Sequence, residues 1–368
     1  MPVSISGTNG VTFPDSSLQA AAASPFVLKN RIINGDMRID QRNNGASVTP
    51  VIGVATYTLD RFYSYVPQSS KLTIQQNAGS VTPPVGFTQY LGVTSSSAYS
   101  ILSTDQFLVG QAIEGLNIAD LAWGTANAKT VTLSFWVRSS LTGTFGGAIQ
   151  NSAQNRSYPF SYTIASANTW TQISVTIAGD TSGTWLTTNG TGMYVFFGLG
   201  VGSTLSATAG SWQAGNFNSA TGAVSVVGTN AATWQVTGVQ LELGTSATPF
   251  ERRLYNQELA NCQRYYWKGG NSWAGVFNGG STARYSGQYP VTMRAAPTIT
   301  AIAAPIVLNP TVSENQTGSQ TTNFAAPAGS GVIGTTAVSK VQFGGFTSGA
   351  DGRPSVLMND ALAFSSEL

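Results

Sequence analysis

The chain has 368 residues, of which 9% are charged and 42% are apolar, and it carries 41 glycines and a net charge of +2. Strong helix formers are sparse and turn formers are abundant, which favours a mainly β protein over a helical or disordered one. The positive charge is weak and dispersed, without the basic runs that follow a phosphate backbone, so we expect no nucleic-acid partner.

Missing residue types exclude most catalytic and metal sites. The chain has no histidine, which removes Ser-His-Asp and Cys-His catalysis, histidine-based zinc sites and the usual pH switch. Its single cysteine, Cys262, cannot form an intrachain disulfide, and without a histidine partner it is expected to be a small core residue. We therefore predict no cofactor and no catalytic or metal site, and a stability that comes from packing or assembly.

The sequence predicts neither a membrane segment nor a secretion signal. No apolar run approaches the ~18 residues that span a bilayer. Residues 1–4 lack the cationic start of a signal peptide. We expect a chain that is made in the cytoplasm and is not inserted into a membrane.

Residues 1–29 are predicted to form a terminal arm. They contain short alternating apolar positions, an Asn9-Gly10 turn and an alanine run from Ala20 to Ala23. This segment is too small to hold a core of its own, so it becomes ordered only against something else. It is either a docking or coiling element or a disordered leader, and the sequence leaves both open.

The next segment is predicted to be a β-hairpin arm. Two glycine turns, Asn34-Gly35 and Asn44-Gly45, bracket it. Strand alternation would place Met37 and Ile39 on one face. It would place four charged residues on the other face, namely Asp36, Arg38, Asp40 and Arg42.

Four segments with strict two-residue periodicity follow. They are Thr130–Arg138, the segment after Trp170, Met193–Leu199 and Trp234–Leu243. The last one changes register at Gly238, which predicts a glycine bulge. The predicted inward residues are Val131, Leu133, Phe135 and Val137, then Ile173, Val175 and Ile177, then Met193, Val195, Phe197 and Leu199, and finally Trp234, Val236, Val239, Leu241 and Leu243.

Strands of this kind, separated by long turn-rich loops, favour a two-sheet sandwich over a parallel α/β sheet. We assign residues 30–250 to this sandwich domain. Since 368 residues exceed the usual size of one domain, we assign residues 251–368 to a helix and a smaller distal β domain.

The distal region opens with a short amphipathic helix. Asn256 is the predicted N-cap, Glu258 lies in the first turn, and Leu259, Cys262 and Tyr266 form an apolar stripe. Glycine-rich hairpins follow the helix. The last predicted strand spans residues 355–364.

Three stretches resemble bacteriophage tail-fibre and virion appendage proteins. They are Asn30–Gly45 with the following Tyr57–Phe62, then Gly238–Tyr266, and Pro290–Thr298. The resemblance implies a structural component of a virion that attaches to the host surface. It further implies a homotrimer whose residues 1–29 dock to other tail or baseplate proteins.

The strands of the sandwich also resemble those of jelly-roll carbohydrate-binding modules. Leu133–Arg138, Trp170–Thr176 and Trp234–Glu242 match the aromatic strands of these modules. The resemblance implies a jelly-roll fold and a glycan as the host-surface ligand. Because such modules often hold a structural calcium, a site near Asp60 or Glu242 stays open, although the acids here are scattered.

Glycan contacts are predicted among loop-placed aromatic residues. Rings cover the apolar face of a sugar, and neutral hydrogen-bonding side chains replace its water. The distal candidates are Trp267, Trp273, Arg284, Tyr285 and Tyr289. The candidates in the sandwich are Tyr158, Trp185 and Trp212, which are also expected in loops.

Two alternative functions remain. The protein could be a decoration fibre bound to the head or neck of the particle, which composition does not distinguish from a tail fibre. It could also be a polysaccharide depolymerase that uses a carboxylate pair such as Asp351 and Asp360. We predict no enzyme activity, because no short-period repeat of a long β-helix is visible.

Overall fold

The computed structural model describes residues 4–6, 10–12, 18–19, 29–277, 282–304, 306–309, 314–317, 338–344, 346 and 352–368. Two antiparallel sheets, of seven and five strands, pack face to face around a shared hydrophobic core. The seven-stranded sheet runs, in spatial order, through Gln213–Ala214, Arg156–Ile164, Gly143–Asn151, Thr191–Val201, Gln106–Glu114, Phe62–Tyr65 and Thr56–Leu59. The five-stranded sheet runs through Thr171–Ile177, Val131–Ser139, Thr233–Leu243, Leu91–Ser95 and Leu72–Gln76.

Short elements connect and flank these sheets. Ser206–Ala207 and Ser219–Ala220 pair in parallel, and three 3₁₀ turns cover Gly115–Asn117, Ala119–Leu121 and Ser203–Leu205. Near the amino terminus, a three-stranded sheet is formed by Ser4–Ser6, Gly10–Thr12 and Leu18–Gln19. The docking role of this arm stays a prediction.

The distal region begins with the α-helix of the described residues, Tyr255–Gln263. A three-stranded sheet follows, with the order Tyr266–Gly269, Leu362–Ser365 and Thr298–Ala301. A six-stranded sheet has the order Glu314–Thr317, Ile306–Asn309, Pro354–Leu357, Ala274–Phe277, Thr282–Gln288 and Val338–Gly344. The predicted class, a mainly β jelly-roll sandwich followed by one short helix and a smaller distal β unit, is confirmed.

The strand predictions hold because apolar alternation drives one face of each strand into the core. In Val131–Ser139 all the predicted inward residues are buried. Each such side chain contributes about 1.5–3 kcal/mol by leaving water. The predicted bulge is also confirmed, because the register shifts between Thr237 and Gln240 and Gly238 has a φ of +62°. Leu243 is 46% exposed, however, because the strand ends there.

The predicted hairpin between Asn34 and Gly45 is wrong. The segment forms turns, since Met37 adopts a φ of 59° that no strand accommodates. Met37 and Ile39 are buried as predicted, but the charged residues do not form an exposed row. Asp36 is itself buried, and its carboxylate pairs with Arg38.

Three predictions in the distal region also need correction. The helix begins two residues earlier than predicted, with Leu254 rather than Asn256 at the N-cap. Tyr266 belongs to a strand, so Tyr265 replaces it beside the helix and packs in one cluster with Cys262. The last predicted strand is two strands, Pro354–Leu357 and Leu362–Ser365, because the chain turns between them.

Cys262 is fully buried, which confirms that it is a core residue. Burial raises the pKa of its thiol well above the ordinary value. In the part of the chain that the structure describes, no helix combines the length and the apolar character that crossing a membrane takes.

Candidate functional site

A groove of 210 Å³ lies on the outer face of the five-stranded sheet. Its floor is the strand Val131–Ser139, whose alternation turns Phe135 and Val137 into the core and Trp136 outward. Gln172, which is opposite Trp136 on the neighbouring strand, adds an exposed amide. A typical small-molecule pocket has a volume of about 300–1,000 Å³, so this groove is smaller. Its size suits one unit of a longer ligand.

Two phenylalanine rings from separate loops form a wall of the groove. Phe87 comes from the loop that joins two strands of the five-stranded sheet, and Phe250 comes from the segment after Leu243. Their ring centroids are 5.3 Å apart at an interplanar angle of 64°, the edge-to-face arrangement that aromatic pairs prefer. Phe87, Phe250 and Trp136 are all half-buried, so each ring keeps surface for a ligand.

The bulge at Gly238 makes this packing sterically feasible. A Cβ atom there would lie 2.6 Å from Cζ of Phe87 and 3.3 Å from Cδ1 of Trp136. Its φ of +62° also disfavours other residues. The glycine predicted as a bulge therefore brings the ring from the loop against the ring on the sheet.

The loop that carries Phe87 is attached to the sheet by polar contacts. Nε1 of Trp170 donates a hydrogen bond to the Thr82 carbonyl at 2.8 Å, and Oγ1 of Thr237 donates to the Gln89 carbonyl at 2.8 Å. Tyr90 packs edge-to-face on Trp170 at 5.7 Å. These contacts hold the loop in place, so the groove is preorganised for a ligand.

Arg252 lies at the rim of the groove. The centre of its guanidinium is 4.7 Å from the centroid of the Phe87 ring and 5.7 Å from that of Phe250, a cation–π arrangement. Gly86 leaves room for this group, since a Cβ there would lie 3.1 Å from Nη2 of Arg252. The groove thus combines ring faces, neutral hydrogen-bonding groups and one cation.

This set of groups can bind a sugar ring. Aromatic faces cover the C–H surfaces of a pyranose, and the Gln172 amide and the Ser134 hydroxyl can exchange hydrogen bonds with its hydroxyl groups. Among the described residues that line the groove there is no carboxylate. Cleavage of a glycosidic bond requires a pair of them.

The distal candidates form a core rather than an open surface. The rings of Trp267, Trp273 and Tyr289 come together around Phe364, with centroid distances of 4.9, 5.6 and 5.2 Å to that ring. Trp273 and Tyr289 are 7% exposed, while Trp267 is half-buried. Their burial leaves little ring surface for a ligand.

Of the other two distal candidates, Tyr285 belongs to the same buried core as Trp273 and Tyr289, whereas Arg284 is exposed. Tyr285 is 2% exposed and packs near Phe343, with ring centroids 6.1 Å apart. Arg284 is exposed on the same strand, Thr282–Gln288. Trp267, Arg284 and Tyr285 therefore lie on strands and not in loops, which corrects the prediction. Glycan contact at the five distal residues stays a prediction.

The sandwich candidates come together at another place, around Trp123. Trp185 and Trp212 lie 4.7 and 5.3 Å from it, and Tyr158 lies 5.3 Å from Trp212, in edge-to-face arrangements. Tyr158 belongs to the strand Arg156–Ile164 and not to a loop, which corrects the prediction. Tyr158 and Trp185 are buried and Trp212 is half-buried, so these rings close one end of the core.

The candidate acids do not form a site. Asp60 is buried and accepts hydrogen bonds from the backbone and side-chain nitrogens of Gln41. Glu242 accepts hydrogen bonds from Thr248. Within the described ranges, no group of three or more acids and cysteines is arranged to hold a metal ion. Asp360 is exposed and Asp351 lies outside the described residues, so the suggested catalytic pair stays untested.

Sequence reasoning missed the groove, although it contained part of the signal. The alternation of Thr130–Arg138 turns Trp136 away from the inward residues, and the structure places the predicted bulge at Gly238 beside it. Phe87 and Phe250 come from loops, and no periodicity indicates that two loops separated by 163 positions meet over one strand. A lone outward tryptophan on a strong strand is the signal that could have pointed to this face.

No protein-family model and no curated protein sequence matches the chain. Among solved structures, the enzymatically active domain of tailspike protein 4 of bacteriophage CBA120 aligns with a TM-score of 0.31 at 10% identity, over 60% of this chain and 22% of that one. A putative sugar-binding protein from Bacteroides thetaiotaomicron aligns with a TM-score of 0.31 at 12% identity, over 59% and 100%. A family 11 carbohydrate-binding module from Clostridium thermocellum, in complex with a β-1,3-1,4-mixed-linked tetrasaccharide, aligns with a TM-score of 0.27 at 11% identity, over 54% and 96%. These scores are low. The strand pairing of the two sheets by itself defines the sandwich.

Proposed function

We propose that this protein is a non-catalytic, structural component of a phage tail fibre or appendage that attaches to glycans of the host surface. The groove on the five-stranded sheet is the observation that carries the binding role. It joins accessible aromatic rings to neutral hydrogen-bonding groups on a rigid strand, as sugar recognition requires. The virion context rests on the resemblance of Asn30–Gly45 and Gly238–Tyr266 to phage fibre proteins.

Trp136→Ala tests the groove as the glycan site. Removing a central aromatic anchor costs about 2 kcal/mol or more of binding free energy, so affinity should fall at least about 30-fold. The measurement is a glycan array followed by titration of the glycans bound by the full chain. Because Trp136 lies on the outer face and is half-buried, the thermal melting curve should stay close to that of the wild type.

Arg284→Ala tests the competing site, because Arg284 is an exposed distal candidate on a different sheet. If the groove is the glycan site, this variant should leave glycan affinity unchanged. If Arg284→Ala abolished binding and Trp136→Ala had no effect, the glycan site would lie in the distal unit and the groove would be excluded.

The proposal of a non-catalytic role is supported by the chemistry of the groove. A glycosidase needs two carboxyl groups ~5–10 Å apart across the sugar, and the described lining residues offer none. Incubation with host polysaccharide should therefore release no reducing sugar. Sustained turnover by the purified protein would contradict this proposal.

Assembly into a homotrimer and docking through residues 1–29 complete the proposal. A low-charge β chain without disulfides gains resistance to shear by burying faces between identical subunits. Native mass spectrometry should give a trimer. Imaging of intact particles with this subunit labelled should place it at the tail, whereas a label at the head or neck would favour a decoration fibre.

A further inference from the structure

Arg252 differs from most of the arginines that the structure describes, because no described acid forms an ion pair with it. In the described part of the chain, no carboxylate lies within ion-pair distance of its guanidinium. The paired arginines are Arg31 with Asp120, Arg38 with Asp36, Arg42 and Arg61 with Glu367, Arg156 with Asp180, Arg253 with Glu251 and Glu258, and Arg264 with Glu114.

The neighbouring residues in the chain do not compensate this charge. Glu251 accepts hydrogen bonds from the backbone nitrogens of Lys29 and Asn30. Arg253 is 9% exposed and donates to Glu258 at 3.1 Å. Both residues are engaged with the amino-terminal segment and the helix, whereas Arg252 is exposed at the groove. Its positive charge therefore faces the ligand space.

Among the described residues, the surrounding sheet face adds a second cation, and its acid is already paired. Arg138 follows Trp136 by two positions on the same strand, and it donates to the Gln235 side chain at 3.2 Å and the Asn168 carbonyl at 2.9 Å. The acid at the far end of this face, Glu242, is 2% exposed and lies 3.8 Å from Nζ of Lys29. The face around the groove is therefore positive.

We propose that the groove selects an acidic sugar, a pyranose whose carboxylate binds Arg252 while its apolar face packs on Trp136. This inference rests on the proposed glycan-binding function and names its ligand class. A guanidinium matches a carboxylate with two parallel hydrogen bonds. The contact with the Phe87 ring holds the guanidinium in place, so less side-chain entropy is lost on binding.

The experiment compares acidic glycans with their carboxyl-reduced forms. Polygalacturonate, alginate and hyaluronan are each used intact and after carbodiimide activation and borohydride reduction, which turns every carboxylate into a neutral hydroxymethyl group. Neutral galactan, xylan and β-glucan complete the panel. The full-length protein should bind at least one intact acidic polymer about tenfold or more tightly than its reduced form, and higher salt should weaken this binding.

Three variants separate recognition from structure. Arg252→Gln should remove the preference for the acidic form, and Arg252→Lys should keep part of it because a point charge remains. Lys129→Gln removes one exposed positive charge outside the groove and should change nothing. Trp136→Ala should weaken the acidic and the reduced forms alike.

Each other outcome has a distinct meaning. Equal affinity for both forms, or binding of neutral polymers alone, would overturn the acidic-sugar inference and leave the glycan-binding function intact. An Arg252→Gln variant that weakened both forms equally would show that Arg252 only supports Phe87, and the inference would fall. No binding by the wild type to any polymer would overturn the glycan-binding function and the inference with it.

Discussion

Replacing Glu367 with glutamine should lower the free energy of unfolding by about 3 to 5 kcal/mol. The carboxylate of Glu367 is 7% exposed and lies between two guanidiniums, those of Arg61 and Arg42. Arg61 is 1% exposed, so removal of its partner leaves a buried charge without compensation. Urea unfolding at pH 7, followed by tryptophan fluorescence and analysed with the linear extrapolation, gives the difference.

The matched control is Asp120→Asn, which breaks an ion pair with Arg31. Asp120 is 49% exposed, so solvent screens this pair and its loss should cost less than about 1 kcal/mol. A Glu367→Gln variant as stable as Asp120→Asn would contradict the view that a buried charge pair holds the carboxyl-terminal segment.

The Glu367 pair matters because it joins the last residues of the chain to the sandwich. Arg294 donates hydrogen bonds to the carbonyls of Ser366 at 2.6 Å and Glu367 at 2.9 Å. The Tyr57 hydroxyl donates to the Leu368 carbonyl at 3.2 Å. The strand Leu362–Ser365 in turn pairs with Tyr266–Gly269. The first and last strands of the distal unit are therefore neighbours.

Asp60→Asn should stabilise the protein at pH 8 and leave it nearly unchanged at pH 4. Burial raises the pKa of Asp60 to about 7, against the opposing hydrogen bond from Gln41 and the charge of Arg42. Since the pKa in the folded state is above that of the unfolded chain, the protonated form favours folding. The protonated carboxyl contributes on the order of 4 kcal/mol to the free energy of unfolding below about pH 4, and this contribution is lost as the pH rises through 7.

Urea unfolding of both proteins at intervals from pH 4 to pH 8 measures this contribution. The difference in unfolding free energy between Asp60→Asn and the wild type should grow with pH. Asp360→Asn, which removes an exposed carboxyl, serves as the control for the loss of one acid. Parallel curves for Asp60→Asn and the wild type would mean that folding does not raise the pKa of Asp60.

Local patterns in the sequence predicted those features whose cause is local. The strand Val131–Ser139 follows from alternation alone, because one face of a strand must be apolar to be buried. The bulge at Gly238 follows from a shift in that alternation at a residue that tolerates a positive φ. The hairpin prediction was wrong because Met37 fits the alternation of apolar and charged residues, but its backbone has a positive φ and cannot continue a strand.

Positions in space were beyond the reach of these patterns. In the sequence, an aromatic residue between glycine-rich turns has the same pattern whether its side chain is exposed to a ligand or buried in a core. Trp273 and Tyr289 are in the core of the distal unit, whereas Phe87 and Phe250 line a groove. Burial depends on what packs on a residue, and residues distant in sequence supply that packing.

The sequence by itself determined that the chain is mainly β, which segments form the strands of the sandwich, and that Cys262 is a core residue. It also determined that no histidine is present for catalysis or metal binding. Only the tertiary structure decided that Phe87 and Arg252 meet over Trp136, and that Glu367 is enclosed by Arg61 and Arg42. The physical reason is that hydrophobic periodicity shows which face of its strand a residue lies on. A site forms where loops and termini that are distant along the chain pack on that face of the sheet.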